Sequence, residues 1–219
     1  MKKLRVLTLV AMTAIAMTAT AQVTYGNDYQ YKKEKSSNSS YSADNDAFQT
    51  LYLQYNMKGK DESINGFSLG YNYAIPIGNI PLFIEPGIAA QYFFRSENFS
   101  GYGESYKIKT NLFAAKIPVS VLYEFEVANG FKLDPFAGLY ARFNIFGKVK
   151  YGDGESIDLF KKFEDGGLGA KRFQFGLHIG LRARFNNKFL VGINYSADLN
   201  EFAEHTKLSH IDFTLGLNF

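Results

Sequence analysis

From Ala47 to its last residue, this chain alternates apolar and polar side chains with period two, the pattern of strands whose two faces meet different surroundings. The clearest stretch is Lys171–Phe185. Its odd positions are Phe173, Phe175, Leu177, Ile179, Leu181, Ala183 and Phe185, and its even positions are Arg172, Gln174, Gly176, His178, Gly180, Arg182 and Arg184. A helix would scatter those residues around its circumference; a strand sorts them onto two faces.

The same alternation predicts eight strands: 47–57, 65–75, 82–94, about 110–125, 132–147, 171–185, 188–199 and 207–219. Upstream of Asn111 the fourth strand loses its phase, because Lys107 and Lys109 fall on its apolar face. Either a bulge, or a strand that has already risen above an apolar layer, accounts for this. Pro86 and Pro118 each lack a ladder donor, so bulges are expected there too. The links after strands two, four and six are short, whereas the others are longer, with 149–170 the longest. Short turns at one end and long loops at the other describe an up-and-down barrel.

Three observations put the apolar face outward, into lipid. The polar face is rich in small residues, among them Gly66, Gly70, Gly138, Gly176 and Gly180, which suit an eight-stranded interior only just wide enough to be filled by side chains. That face also balances its charges, with cations at Lys116, Arg142, Arg172, Arg182 and Arg184 and anions at Glu85, Glu124, Asp134, Asp198 and Asp212. So much apolar surface on an exported chain would aggregate in water. The expected fold is therefore all-β, an eight-stranded antiparallel up-and-down transmembrane β-barrel. Lipid forces closure, since no water reaches an open sheet edge. Tyr71, Tyr73, Tyr123 and Tyr195 lie towards strand ends on the lipid face, where amphipathic rings sit at headgroup level.

The N-terminus has a different character. A cationic start at residues 1–5, the uncharged apolar run Val6–Met17 and the small-residue site Ala19-Thr20-Ala21 make the pattern of a signal peptide over 1–21. Residues 22–46 are polar, including the low-complexity tract KKEKSSNSSYS, and are expected to be a disordered periplasmic segment, leaving 47–219 as the barrel. Three of the 24 basic side chains and none of the 21 acidic ones lie in the first 21 residues, so the remainder balances. That balance argues against nucleic-acid binding. Without Cys there is no disulfide, no Cys-bound zinc and no lipid anchor on Cys.

Chemistry-bearing residues converge on the polar face: Glu85, Lys116, Glu124, Asp134, Arg142, Arg172, His178, Arg182, Arg184, Asp198, His210 and Asp212 are expected to form a lumenal network. The ten charges would pair and plug the barrel, and water-filled pores belong to barrels of about 16 strands. His178 and His210, with Asp212 and Ser196 on nearby strands, make a Ser/His/Asp arrangement conceivable, but a lumenal histidine more often joins a polar network. No metal-ligand spacing is present, Gly152-Asp153-Gly154-Glu155 reads as a surface loop, and no cofactor is expected. In 149–170, apolar Ile157, Leu159, Phe160 and Phe163 have roughly helical spacing. Two readings stay open: an amphipathic helix or cap that meets a surface partner, or a loop folded back over its own barrel mouth. Lys107 and Lys109, if outward above the bilayer, would face lipopolysaccharide phosphates.

The terminal Phe219, with apolar residues at every second position before it, resembles the C-terminal assembly signal of Gram-negative outer-membrane barrels. Lys116-Ile117-Pro118 through Tyr123-Glu124-Phe125 resembles the E/K-I-P…Y-x-F strand of the PorT-like outer-membrane β-barrel family of Bacteroidetes. Asp134-Pro135-Phe136-Ala137-Gly138, Phe175-Gly176…Gly180 and Tyr195-Ser196…Leu199 resemble its following strands, so the likeness spans strands three to eight. The resemblance implies a cell outer-membrane location, insertion by the barrel-assembly machinery, and contact with outer-membrane lipid and lipopolysaccharide. The expected role is structural or surface interaction by a monomer with a closed polar lumen, not an enzyme. A small-solute or secretion-accessory channel component and a lipid A-modifying enzyme are the alternatives.

Overall fold

The computed structural model describes residues 46–57, 64–101, 104–152, 154–204 and 206–219. The expected signal peptide and nearly all of the polar segment 22–46 lie outside the described residues, as do Asp153 and His205. The strands are β1 (Phe48–Met57), β2 (Asn65–Pro76), β3 (Leu82–Gly101), β4 (Glu104–Tyr123), β5 (Phe125–Ala128), β6 (Phe131–Tyr151), β7 (Ser156–Asp158), β8 (Phe173–Phe185), β9 (Phe189–Asp198) and β10 (His210–Asn218). All pairings are antiparallel, and β4 contacts β6 on one side as well as β3 on the other, which closes the sheet. β5 continues the line of β4 past Glu124 and β7 adds a short ribbon to β6, so the wall is an eight-stranded barrel.

The alternation resolves with the apolar face outward and the polar face inward. Leu177 and Ile179 are 47% and 63% exposed, whereas Arg182 between their neighbours is 7% exposed. Leu51, Leu53, Phe67, Leu69, Ile117 and Leu215 continue the apolar surface around the wall. Short turns join the strands at the end that also holds Phe219, whose N–H and C=O pair with Gln49. One of these turns places Asn186 and Asn187 at φ 51° and 53°, the left-handed geometry that suits a two-residue hairpin and that Asn tolerates.

One expectation about register is corrected, and one left open is decided. Pro86 and Pro118 cause no register shift: Pro86 pairs with Val119, and Ala89 with Lys116, in the same frame. The shift lies instead in β6, where Phe113 faces Phe146 but Ala114 faces Asn144, leaving Ile145 as the extra residue. For β4 the second of the two accounts holds. Lys107 and Lys109 stay on the outward face in line with Ile117 and Val119, so the strand has risen above the apolar band. The link predicted between strands three and four is in fact paired ribbon, since β3 and β4 are 20 residues each against roughly 9–11 for a transmembrane strand.

Inside, large rings face glycines across the ladders: Tyr52 opposite Gly70, Phe93 opposite Gly66, Phe136 opposite Gly180, His178 opposite Gly138 and Tyr140 opposite Gly176. A Cβ at Gly70 would lie 2.2 Å from Tyr52 Cζ, and one at Gly176 2.4 Å from Tyr140 Cζ. The glycines are there because the rings take their space in a narrow lumen.

Two apolar clusters close the ends. At the short-turn end Ala74, Phe83, Leu122 and Phe136 pack with Phe48. At the long-loop end Ile64, Phe93, Leu112, Val149, Leu159, Ala170, Phe202 and Leu208 pack together. The loop 149–170 supplies much of this second seal, which decides between its two readings. It folds back over the barrel: Leu159 N–H bonds the Gly147 carbonyl at 3.1 Å, Ala170 N–H bonds the Leu159 carbonyl at 2.8 Å, and Phe160 meets Phe202 edge-on. Among the described residues of the loop, a single 3-10 turn, Phe163–Asp165, forms in place of the amphipathic helix.

Candidate functional site

The charged lumen lies between these two seals, in layers set by alternate residues of facing strands. Nearest the short turns, Arg184 on β8 donates to Asp134 on β6 through Nε at 2.5 Å and Nη2 at 3.0 Å, and also to Glu124. Lys132 Nζ reaches the other Glu124 oxygen at 2.7 Å, and the Arg184 guanidinium covers the Phe48 ring at 4.2 Å. Lys132 is a member of this layer that alternation did not single out, because it stands beside a turn.

The next layer crosses the lumen. Arg182 on β8 donates through both terminal nitrogens to Glu85 on β3, at 2.7 and 2.6 Å, and Asn72 Nδ2 adds a bond to Glu85 at 2.8 Å. Bidentate guanidinium–carboxylate pairing of this kind fixes orientation as well as charge. Arg182 also stacks over Phe136 at 4.2 Å.

The middle layer centres on Asp212. Its oxygens accept from Asn56 Nδ2 at 2.5 Å, Asn194 Nδ2 at 2.7 Å and Ser196 Oγ at 3.2 Å. Lys116 donates to Ser196 Oγ at 3.0 Å and sits 4.3 Å over the Tyr140 ring. Among the described residues no carboxylate lies within 4.0 Å of Lys116, so Ser196 is its bridge to the Asp212 charge. Above this, Asp198 accepts from Tyr140 Oη at 2.5 Å, from the Leu208 N–H at 3.0 Å and from the fully buried Arg142.

Eleven of the twelve residues expected in the lumen are buried there: Glu85, Lys116, Glu124, Asp134, Arg142, His178, Arg182, Arg184, Asp198, His210 and Asp212. Arg172 is the correction, because it is exposed. β8 begins only at Phe173, so Arg172 precedes the ladder. It donates instead to the carbonyls of Asn144 and Ile145, at 3.1 and 2.7 Å, and covers the Phe160 ring at 4.3 Å. It therefore bolts the bulge of β6 to the folded-back loop.

The Ser/His/Asp residues do not make a triad. Asp212, not a histidine, stands in the middle, with Ser196 Oγ at 3.2 Å and His210 Nε2 at 3.3 Å. His178 pairs with a different serine, its Nε2 lying 3.2 Å from Ser120 Oγ. A nucleophile needs the base beside it and that base oriented by an acid, which neither group supplies. The cavity next to these residues, lined by Tyr52, Lys116, Ser120, His178, Arg182 and Asn194, holds about 20 Å³, room for about one water. Among the described residues no cluster of three or more His, Asp or Glu side chains is placed to hold a metal ion.

Residues 37–204 match the family model described as "Outer membrane protein beta-barrel domain". No curated protein matches the sequence. Similar solved structures include Ail, the attachment invasion locus protein of Yersinia pestis, at 17% identity over 79% of this chain and 97% of that one, with a TM-score of 0.39. Neisserial surface protein A is 14% identical over 78% of this chain and 94% of that one, with a TM-score of 0.42. The outer membrane enzyme PagL is 15% identical over 78% and 98%, with a TM-score of 0.44.

Proposed function

The chain belongs to the outer membrane protein β-barrel domain family, and from that premise we propose that it acts as a structural or surface-interaction barrel whose lumen carries no solute. The observation behind this reading is the filled lumen: paired charges stacked between two apolar seals, with about 20 Å³ left at the middle. Burying these charges costs solvation, so their pairing is better understood as fixing strand register than as a source of stability. In this reading the 1–21 leader directs export, Phe219 is recognised during assembly, and the protein works as a monomer among outer-membrane lipids.

Planar-bilayer recording tests it. Purified protein is expected to leave the membrane current at baseline; steady ion conductance would overturn the closed-lumen reading.

A secretion-accessory role is a second reading, favoured by the PorT-like motifs at Lys116–Phe125 and Asp134–Gly138. Co-purification with secretion components from native membranes would support it. The lipid A-modifying alternative has only the Ser120–His178 contact in its favour, and that contact is sealed from lipid.

A further inference from the structure

Going up β4 and β6 on the outward face, the apolar band ends abruptly. Its last rung is the stacked pair Phe113 and Phe146, with ring centroids 5.1 Å apart. One rung higher Asn111 faces Lys148, then Lys109 faces Lys150, and then Lys107 follows, its carbonyl bonded by the Gly152 N–H at 2.8 Å. All four lysines are exposed. Alternate residues on a strand are roughly 7 Å apart, so the cations occupy the first one to three rungs above hydrocarbon.

Lys109 directly opposite Lys150 is a like-charge pair of the kind that weakens a ladder. The neighbouring outward residues do not neutralise it: on β3 they are Ser96, beside Lys109, and Asn98, beside Lys107. Asp158 on β7 stands opposite Lys148 and offsets part of that charge, although its Oδ1 also accepts the Phe160 N–H at 2.8 Å; Lys150 faces only Ser156 there. Glu97, on the other face of β3, is paired with Arg95 at 2.5 Å. The ladder thus holds an excess of cations at headgroup height, on the long-loop end, with Lys109 and Lys150 facing each other.

We propose that Lys107, Lys109, Lys148 and Lys150 form a docking site for the phosphates of a bilayer-embedded glycolipid, the lipopolysaccharide of the outer leaflet. The proposal rests on the outer-membrane reading, which turns the long loops towards that leaflet. Acyl chains lie along the Phe113–Phe146 band while the headgroup phosphates meet the lysines above it. Four ammonium groups are gathered on two paired strands, and the phosphates relieve the repulsion between Lys109 and Lys150.

The test uses full-length protein in detergent, with folding checked by its heat-dependent gel mobility. K107Q/K109Q/K148Q/K150Q should bind lipopolysaccharide at least about tenfold more weakly and lose much of the salt dependence. The four-fold Lys→Arg variant should retain both. Equal binding by the folded Gln variant would overturn the proposal. So would equal affinity of wild type for lipid A stripped of its phosphates. Displacement of lipopolysaccharide by inorganic phosphate at the same phosphate concentration would also overturn it, assigning the site to the free anion. Ion conductance would defeat the closed-lumen reading and leave this site untouched, so the two failures are distinguishable.

Discussion

Arg182 and Glu85 are 97 residues apart and sit on strands that share no ladder, yet two parallel hydrogen bonds of 2.7 and 2.6 Å join them across the lumen. A slip of one residue in either strand would turn one of them into lipid. The pair therefore ties register on one side of the barrel to register on the other.

Removing one partner leaves a buried charge without compensation. E85Q and R182Q should each lower unfolding stability in lipid vesicles by about 3 kcal/mol. E85Q/R182Q should cost less than the sum of the two, showing a coupling of about 1 kcal/mol or more. The chain has no Trp, so urea unfolding is best followed by gel mobility. Strict additivity would mean that the fork does not act as a unit.

Gly138 tests the ring-opposite-glycine arrangement. A Cβ there would lie 2.1 Å from the Val119 carbonyl oxygen and 2.6 Å from His178 Nε2, and the first of these is backbone that cannot swing away. Gly216 is more open, its nearest neighbour being the Leu51 carbonyl oxygen at 3.2 Å. G138A should destabilise by about 2 kcal/mol and G216A by less than about 1 kcal/mol. Equal urea midpoints for the two variants would contradict the close packing of Val119, Ser120 and His178 around Gly138.

Much of this was legible beforehand, for a physical reason. Inside the bilayer each strand meets lipid on one face and a packed lumen on the other, so every second residue reports its side. Leu177, His178 and Arg182 are plain in that code. Above the bilayer the outward faces of β3 and β4 no longer meet lipid while Ile108 on the inner face packs against the seal, and the period-two signal fades although hydrogen bonding continues. Alternation alone therefore does not settle the paired ribbon around Lys107. Arg172 kept the alternation phase but not the ladder, because β8 starts one residue later. Phe93, Leu112, Phe202 and Leu208 are apolar and inward, as the seal requires, and a rule that sends apolar residues to lipid could not place them. The glycines stood out as small, but only the register shows which ring each one faces.

Arg172 makes a local prediction. Its bonds to the Asn144 and Ile145 carbonyls and its contact with Phe160 hold the folded-back loop against β6. R172M should leave global unfolding nearly unchanged while loosening the loop, since local opening depends on few contacts. Lys161 and Lys162 are exposed at the loop tip, so trypsin should cut there several times faster in the variant. Unchanged cleavage would remove Arg172 from this role.

The last prediction separates the two barriers in the lumen. Leu159 and Phe202 belong to the apolar seal at the long-loop end, and L159A/F202A would open space there. Beneath them Arg142 with Asp198, Asp212 with Asn56 and Asn194, Arg182 with Glu85, and Arg184 with Asp134 still fill the barrel, layer upon layer. An eight-stranded wall leaves no path around such side chains. L159A/F202A should therefore become more sensitive to protease at the loop and yet carry no more planar-bilayer current than wild type. If current appeared, the apolar cap would be the barrier and the charge layers would be permeable. A silent bilayer together with faster proteolysis would place the ion barrier in the paired arginines and carboxylates.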